Sequence, residues 1–131
     1  VALETGLMTP VLRDCSRKSL AQIAKETKSL VERARAQKLK SDEYSGGTFT
    51  ISNLGMYEIE EFTAIINTPE AAILAIGRIQ SKPVVVDGAV QISQRMRMTL
   101  SCDHRAVDGL TGAIFLQEVK RLLEHPFELI L

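Results

Sequence analysis

Apolar residues recur at helical spacing near both ends of the chain and at strand-like spacing between them. Leu20, Ile23, Ala24, Thr27, Leu30, Val31 and Ala34 share one stripe of a helix. Arg17, Lys18, Lys25, Lys28 and Arg35 fall largely off that stripe, and Asp14 or Ser16 is placed to cap its start. Before it, Gly6 and Pro10 break Val1–Arg13 into short extended pieces. After it, Ser45-Gly46-Gly47 closes the region, and Thr48-Phe49-Thr50-Ile51-Ser52 is β-branched and aromatic, hence a strand. Asn53 to Glu61 reads as a loop, and Thr68-Pro69-Glu70 as a tight capped turn with the proline where a first helical turn tolerates it. Ala71 to Ile79 is almost wholly apolar, the pattern of a strand buried on both faces.

Val84-Val85-Val86, Asp87-Gly88 and Ala89-Val90 spell a two-residue hairpin. From Val90 to Cys102 the pattern alternates, which predicts one long strand. Val90, Ile92, Met96, Met98, Leu100 and Cys102 lie on one face, and Gln91, Ser93, Arg95, Arg97, Thr99 and Ser101 on a wet or interfacial one. A polar break, Asp103 to Asp108, precedes a helix from Gly109 to about Glu124. Leu110, Ala113, Ile114, Leu116, Val119 and Leu123 face inward there, and Pro126 stops it. No internal repeat or linker is visible. Strands with helices on one face predict an α+β or mixed α/β sandwich.

Length and charge narrow the function classes. The 131 residues suit one domain. Sixteen Lys+Arg balance sixteen Asp+Glu, which argues against a nucleic-acid partner, since phosphate binding needs a basic excess. No apolar run approaches the roughly 18 residues of a bilayer span, and no signal peptide points to secretion. Two cysteines, Cys15 and Cys102, are too few for a disulfide framework, so reduced thiols in a cytosol-like compartment are expected. The charge is uneven: residues 1–40 carry nine Lys/Arg and four Asp/Glu, the rest seven and twelve. This reads either as a solvated cationic face or as a platform for an anionic ligand or partner. The chain opens at Val1 without Met, and reads as a piece of something longer.

His125 sits in a last helical turn, where a helix dipole favours a surface histidine. His104 lies just past a strand end within Cys102-Asp103-His104-Arg105-Ala106-Val107-Asp108-Gly109, a polar break on a rigid scaffold, where functional groups tend to sit. Asp108 can cap the following helix, fix the His104 turn, or do both. Cys102 and His104 alone are insufficient for a zinc site, and no metal is expected. Cys102 is expected in the core. A Ser52–His104–Asp108 hydrolase is conceivable, but Thr50 and Ile51 precede Ser52, and a nucleophile elbow needs small residues there.

Two segments carry a resemblance. Ser101-Cys102-Asp103-His104-Arg105-Ala106-Val107-Asp108-Gly109 is similar to the D-H-R-x-x-D-G signature of the E2 acyltransferases of 2-oxo-acid dehydrogenase complexes. Gly47-Thr48-Phe49-Thr50-Ile51-Ser52-Asn53-Leu54-Gly55 resembles their other hallmark, and Gly6-Leu7-Met8-Thr9-Pro10-Val11 the strand before their long helix. Ser52-Asn53-Leu54-Gly55-Met56, Ala64-Ile65-Ile66-Asn67 and Ile73-Leu74-Ala75-Ile76-Gly77 are most similar to the pyruvate branch, the dihydrolipoamide acetyltransferases. The branched-chain and 2-oxoglutarate branches stand as alternatives.

The resemblance implies a chloramphenicol-acetyltransferase-like fold: an α/β two-layer sandwich with a mixed β-sheet. Residues 1–131 would be a partial catalytic domain, its opening helices and the lipoyl and subunit-binding domains lying outside. It implies a homotrimer building a larger core, with E1 and E3 components as partners, in bacterial cytoplasm or the mitochondrial matrix. The reaction implied moves an acetyl group between the lipoyl arm and coenzyme A, both substrates. His104 is implied as general base and Ser52 as oxyanion donor, contributed by neighbouring subunits. Asp108 is implied to hold the His104 loop, with an ion-pair partner in the segment of the domain that lies outside this chain. A thiol's pKa of about 8.5 lies roughly two units above a histidine's, so imidazole suits this proton transfer. A catalytically silent E2-like scaffold protein is the alternative from another class.

Overall fold

The computed structural model describes residues 1–130. The chain forms two compact units: Val1–Gly47 together with the chain from Glu118 onward, and Thr48–Gln117.

In the first unit, β1 (Ala2–Leu3) pairs antiparallel with β2 (Gly6–Leu7), the short extended pieces that Gly6 predicts. Helix α1 runs Leu20–Arg35. Neither Asp14 nor Ser16 caps it. Asp14 has a left-handed backbone (φ 52°) before a 3₁₀ turn at Cys15–Arg17. The cap is Ser19, whose hydroxyl accepts the Gln22 N–H at 3.3 Å while the Gln22 carboxamide accepts the Ser19 N–H at 2.8 Å. A capping box needs an acceptor three residues on. Gln22 supplies one for Ser19, whereas Asp14 meets Arg17. The apolar stripe is buried only at its C-terminal half, at Leu30 and Ala34. Leu20 is 50% exposed, and Ala24 and Thr27 are also exposed, because none of the described residues of this unit covers them.

The second unit holds the sheet. Strands β3 (Thr50–Asn53), β4 (Ala72–Ile76) and β7 (Met98–Cys102) lie in the order β3-β4-β7, with β3 parallel and β7 antiparallel to β4. Ile73, Leu74 and Ala75 are buried, as the continuous apolar run requires of a central strand. The turn at Thr68–Pro69 is present, its peptide bond cis and no helix following. Strands β5 (Gln80–Val86) and β6 (Ala89–Arg95) form the expected hairpin. Asp87 and Gly88 both have positive φ (51° and 80°), as a type I′ turn demands.

The single strand expected over Val90–Cys102 is two. Up to Arg95 it pairs with β5, and from Met98 it pairs with β4. The chain crosses between these partners at Met96–Arg97, where the Arg97 carbonyl accepts the Gly77 N–H at 2.9 Å. Alternation of side chains persists through such a change of partner, so the pattern conceals it.

Helix α2 spans Gly109–Glu124, and Pro126 begins a 3₁₀ turn after it. Its inner stripe is rotated from the expected one. Leu110 is 72% and Ile114 57% exposed, whereas Gly112 is buried. A Cβ at Gly112 would lie 3.6 Å from Leu100 Cδ2 and 3.7 Å from Cys102 Sγ, so the glycine lets the helix settle directly on β7. Phe115, three residues on, packs against Phe49 with ring centroids 5.6 Å apart and planes at 58°. A helix layer on one face of a mixed sheet is the architecture expected.

Candidate active site

Strand β7 delivers the chain to a turn that is tied down at almost every residue. The Asp103 N–H donates to the Ala71 carbonyl at 2.8 Å, anchoring the turn to the start of β4, and the Asp103 carbonyl accepts from Ala106 and Val107, each at 2.9 Å. Its carboxylate accepts the Arg105 N–H at 3.0 Å, an Asx turn. It also takes the guanidinium bidentately, Nε at 3.0 Å and Nη2 at 2.6 Å. Arg105 holds the Asp103 carboxyl down at about 2, through its side chain first and its backbone N–H second. The carboxylate therefore stays ionised, and this clip intact, from neutral pH down to strong acid.

His104 lies inside this clip. It is exposed and, among the described residues, its imidazole makes no hydrogen bond. Asp108 caps α2: its carboxylate accepts the Thr111 N–H at 2.7 Å, which also lowers its pKa. Among the described residues no lysine or arginine pairs with it, and its carboxylate acts within this chain as the cap of α2. Cys102 faces Gly112 but is half-buried rather than in the core expected for it, because it ends β7 at the margin of the sheet.

Ser52 sits elsewhere. It is half-buried on β3, in register with Ala75 and, across β4, with Thr99. Cys102 is three residues beyond Thr99 and two strands away. At roughly 3.3 Å per residue and about 4.8 Å between strands, Ser52 and Cys102 are about 14 Å apart, and the chain then runs further to His104. Because β3 and β7 are antiparallel, β3 carries the chain past Ser52 towards one end of the sheet, and β7 carries it to His104 at the other. The chain brings His104 and Asp108 into one turn and keeps Ser52 from both. That geometry is incompatible with a Ser–His–Asp hydrolase within one chain, and both Asp103 oxygens are occupied by Arg105.

The Ser52 end has its own scaffold. The Asn53 side-chain oxygen accepts the Gly55 N–H at 2.9 Å, and the Leu54 N–H reaches the Ile76 carbonyl at 3.1 Å. The following segment lies on Gly77, where a Cβ would come within 1.8 Å of the Glu60 carbonyl oxygen. Glu60 pairs with Lys82, which lowers its pKa, and Glu61 pairs with Arg97 at 2.6 Å.

A cavity of about 290 Å³ in the first unit is lined by Arg13, Lys18, Arg33, Glu26 and Glu43 among others. Its charges are already committed: Arg33 to Glu43 at 2.5 Å, Lys18 to Glu26 at 2.5 Å, and Arg13 to the Asp42 and Ser45 carbonyls. The candidate residues His104 and Ser52 lie in the other unit. Among the described residues no group of three His, Cys, Asp or Glu is placed to hold a metal ion, and no helix is long and apolar enough to cross a membrane.

Sequence reasoning did not give Asp103 and Arg105 a task. The available signal was an aspartate two residues before an arginine at a strand end, the spacing of an Asx turn with a guanidinium added. Gly77, directly after the apolar run of β4, was equally open to notice.

A model of the catalytic domain of 2-oxoacid dehydrogenases acyltransferases matches residues 1–131. The dihydrolipoyllysine-residue acetyltransferase component of pyruvate dehydrogenase complex from Rickettsia bellii is 44% identical over 131 residues, all of this chain and 31% of the relative. The mitochondrial counterpart of Schizosaccharomyces pombe is 46% identical over 134 residues, all of this chain and 28% of the relative. The chain thus spans about a third of the length of these relatives. Dihydrolipoamide acetyltransferase of Azotobacter vinelandii superimposes with a TM-score of 0.93 at 39% identity, over 98% of this chain and 53% of that one. The cubic core of the pyruvate dehydrogenase multienzyme complex superimposes at 0.95 and 38% identity, over all of this chain and 54% of that one.

Proposed function

The chain belongs to the 2-oxoacid dehydrogenase acyltransferase family, in its catalytic domain, and we propose that it transfers acetyl groups between dihydrolipoamide and coenzyme A. One observation carries the reading. In the Azotobacter vinelandii enzyme the residues investigated for a catalytic role are a serine, a histidine 52 positions later and an asparagine four positions beyond that. Ser52, His104 and Asp108 have the same two spacings, with an aspartate in the asparagine's place.

The chemistry follows from these groups. Neutral His104 takes the proton of the attacking coenzyme A thiol, and the thiolate adds to the thioester carbonyl. The negative charge that develops on the oxygen is met by the Ser52 hydroxyl. Collapse breaks the bond to the dihydrolipoyl sulfur, which leaves as a thiol with the proton from His104. As the family resemblance implies, each site takes His104 from one subunit and Ser52 from its neighbour, and the placement of the two residues towards opposite ends of one sheet supports this. The assembly is a trimer within a larger core, served by E1 and E3 components, in bacterial cytoplasm or the mitochondrial matrix.

The test is acetyl-coenzyme A formation by the assembled protein from acetyl-dihydrolipoamide, beside the succinyl and branched-chain donors. We expect transfer, fastest for acetyl, and a loss on the order of 10²–10⁴-fold in His104→Ala, the usual contribution of a general base. A succinyl preference would move the chain to the 2-oxoglutarate branch. Acetate released to water would mark a hydrolase, and no reaction a silent scaffold protein.

A further inference from the structure

Asp103 commits every hydrogen-bonding group it has to the turn around His104. Its N–H holds Ala71, its carbonyl takes both Ala106 and Val107, and its carboxylate takes the backbone and guanidinium of Arg105. His104, between the two clipped residues, has no side-chain partner among the described residues. The direction in which its imidazole leaves the backbone is therefore set by its neighbours. Arg105 is 90% exposed, and so wet an ion pair adds little to folding. What it adds is geometry, because a planar fork on a carboxylate two residues away leaves the intervening residue little backbone freedom.

We propose that Asp103 and Arg105 are positioning residues for His104, a clip that aims the imidazole at the reacting thiol without touching it. Asp103 would otherwise be the natural carboxylate to orient the ring, as in a triad. With both oxygens on Arg105 it acts through the backbone instead. The proposal rests on His104 being the base.

The experiment measures kcat, KM for coenzyme A and for acetyl-dihydrolipoamide, and Tm in the assembled protein carrying Arg105→Ala, Asp103→Asn or Asp103→Ala. Arg105→Ala removes only an exposed side chain and keeps the Asx turn. Asp103→Asn keeps an acceptor for the Arg105 N–H but loses the ionic fork, and Asp103→Ala loses both. A misplacement of about 1 Å can cost a catalytic group 10²-fold. We therefore expect kcat to fall roughly tenfold in Arg105→Ala and Asp103→Asn and about 10²-fold in Asp103→Ala, with both KM values within about twofold. Arg105→Ala should keep the parent Tm. The clip is overturned if all three keep the parent kcat while His104→Ala is dead. It is also overturned if Asp103→Asn is as damaged as Asp103→Ala and the kcat losses track Tm. A His104→Ala protein that turns over normally overturns the base assignment, and the clip with it.

Discussion

The sheet register makes a quantitative demand on any mixture of inactive variants. His104→Ala subunits still offer Ser52, and Ser52→Ala subunits still offer His104. Within one chain Ser52 and Cys102, two residues before His104, lie roughly 14 Å apart by strand geometry. On the proposed reading a chain therefore does not complete its own site. In a closed ring each site draws its histidine from one subunit and its serine from the next. If a fraction x of subunits is Ser52→Ala, the intact fraction of sites is x(1 − x). It is zero at both ends and about one quarter at equal mixing, because one of four equally frequent pairings is whole. The assay is to co-denature the two proteins at several ratios, refold them, and follow acetyl transfer to coenzyme A. Activity should trace that parabola. Mixtures no more active than the separate parents at every ratio would show that both residues act within one subunit, and the register argument would fall.

Two pairs of substitutions test the scaffolds on which those residues stand. Gly77→Ala places a Cβ 1.8 Å from the Glu60 carbonyl oxygen, and a backbone neighbour cannot swing aside. Overpacking of this kind costs about 1–3 kcal/mol or more, so Tm should drop by several degrees. Gly109→Ala, with no atom within 4 Å, should leave Tm unchanged; equal shifts in the two would refute the packing argument. Asp108→Asn should keep both Tm and kcat, since asparagine caps a helix as well as aspartate does, while Asp108→Ala should lower both. An asparagine variant as impaired as the alanine one would show that the site needs the charge and not the cap.

The elements most legible in the sequence are those where one residue type has one physical use. Asp87-Gly88 has few options other than a tight hairpin, and Ile73-Leu74-Ala75 few other than burial between two strands. Helix α2 ran between its expected bounds because Asp108 and Pro126 are strong punctuation. Where the sequence misled, several residues satisfied the same local rule. Asp14, Ser16 and Ser19 are all good caps, and only the Gln22 side chain distinguishes the third. The inner face of α2 is centred on Gly112, which a count of large apolar residues passes over. The break at Met96–Arg97 leaves the alternation undisturbed, because side chains continue to alternate while hydrogen bonds change partner.

The candidate site was legible in its parts and not in its geometry, for a reason that bears on the assembly. A spacing of 52 residues between Ser52 and His104 says nothing about distance. The sheet order and the antiparallel run of β7 decide it, and they place the two groups at opposite ends. On the proposed reading, a chain with the donor towards one end of its sheet and the base at the other has two half-sites that face apart. Head-to-tail association uses both, and it closes without leftovers only when the rotation between neighbours completes a ring. The one-quarter recovery holds for a ring of any size, so the complementation test cannot count subunits. The mass of the refolded mixture, measured on the same sample, does. A trimer with the parabolic profile satisfies both requirements. A recovered parabola in a species of another mass would keep the shared site and discard the threefold ring.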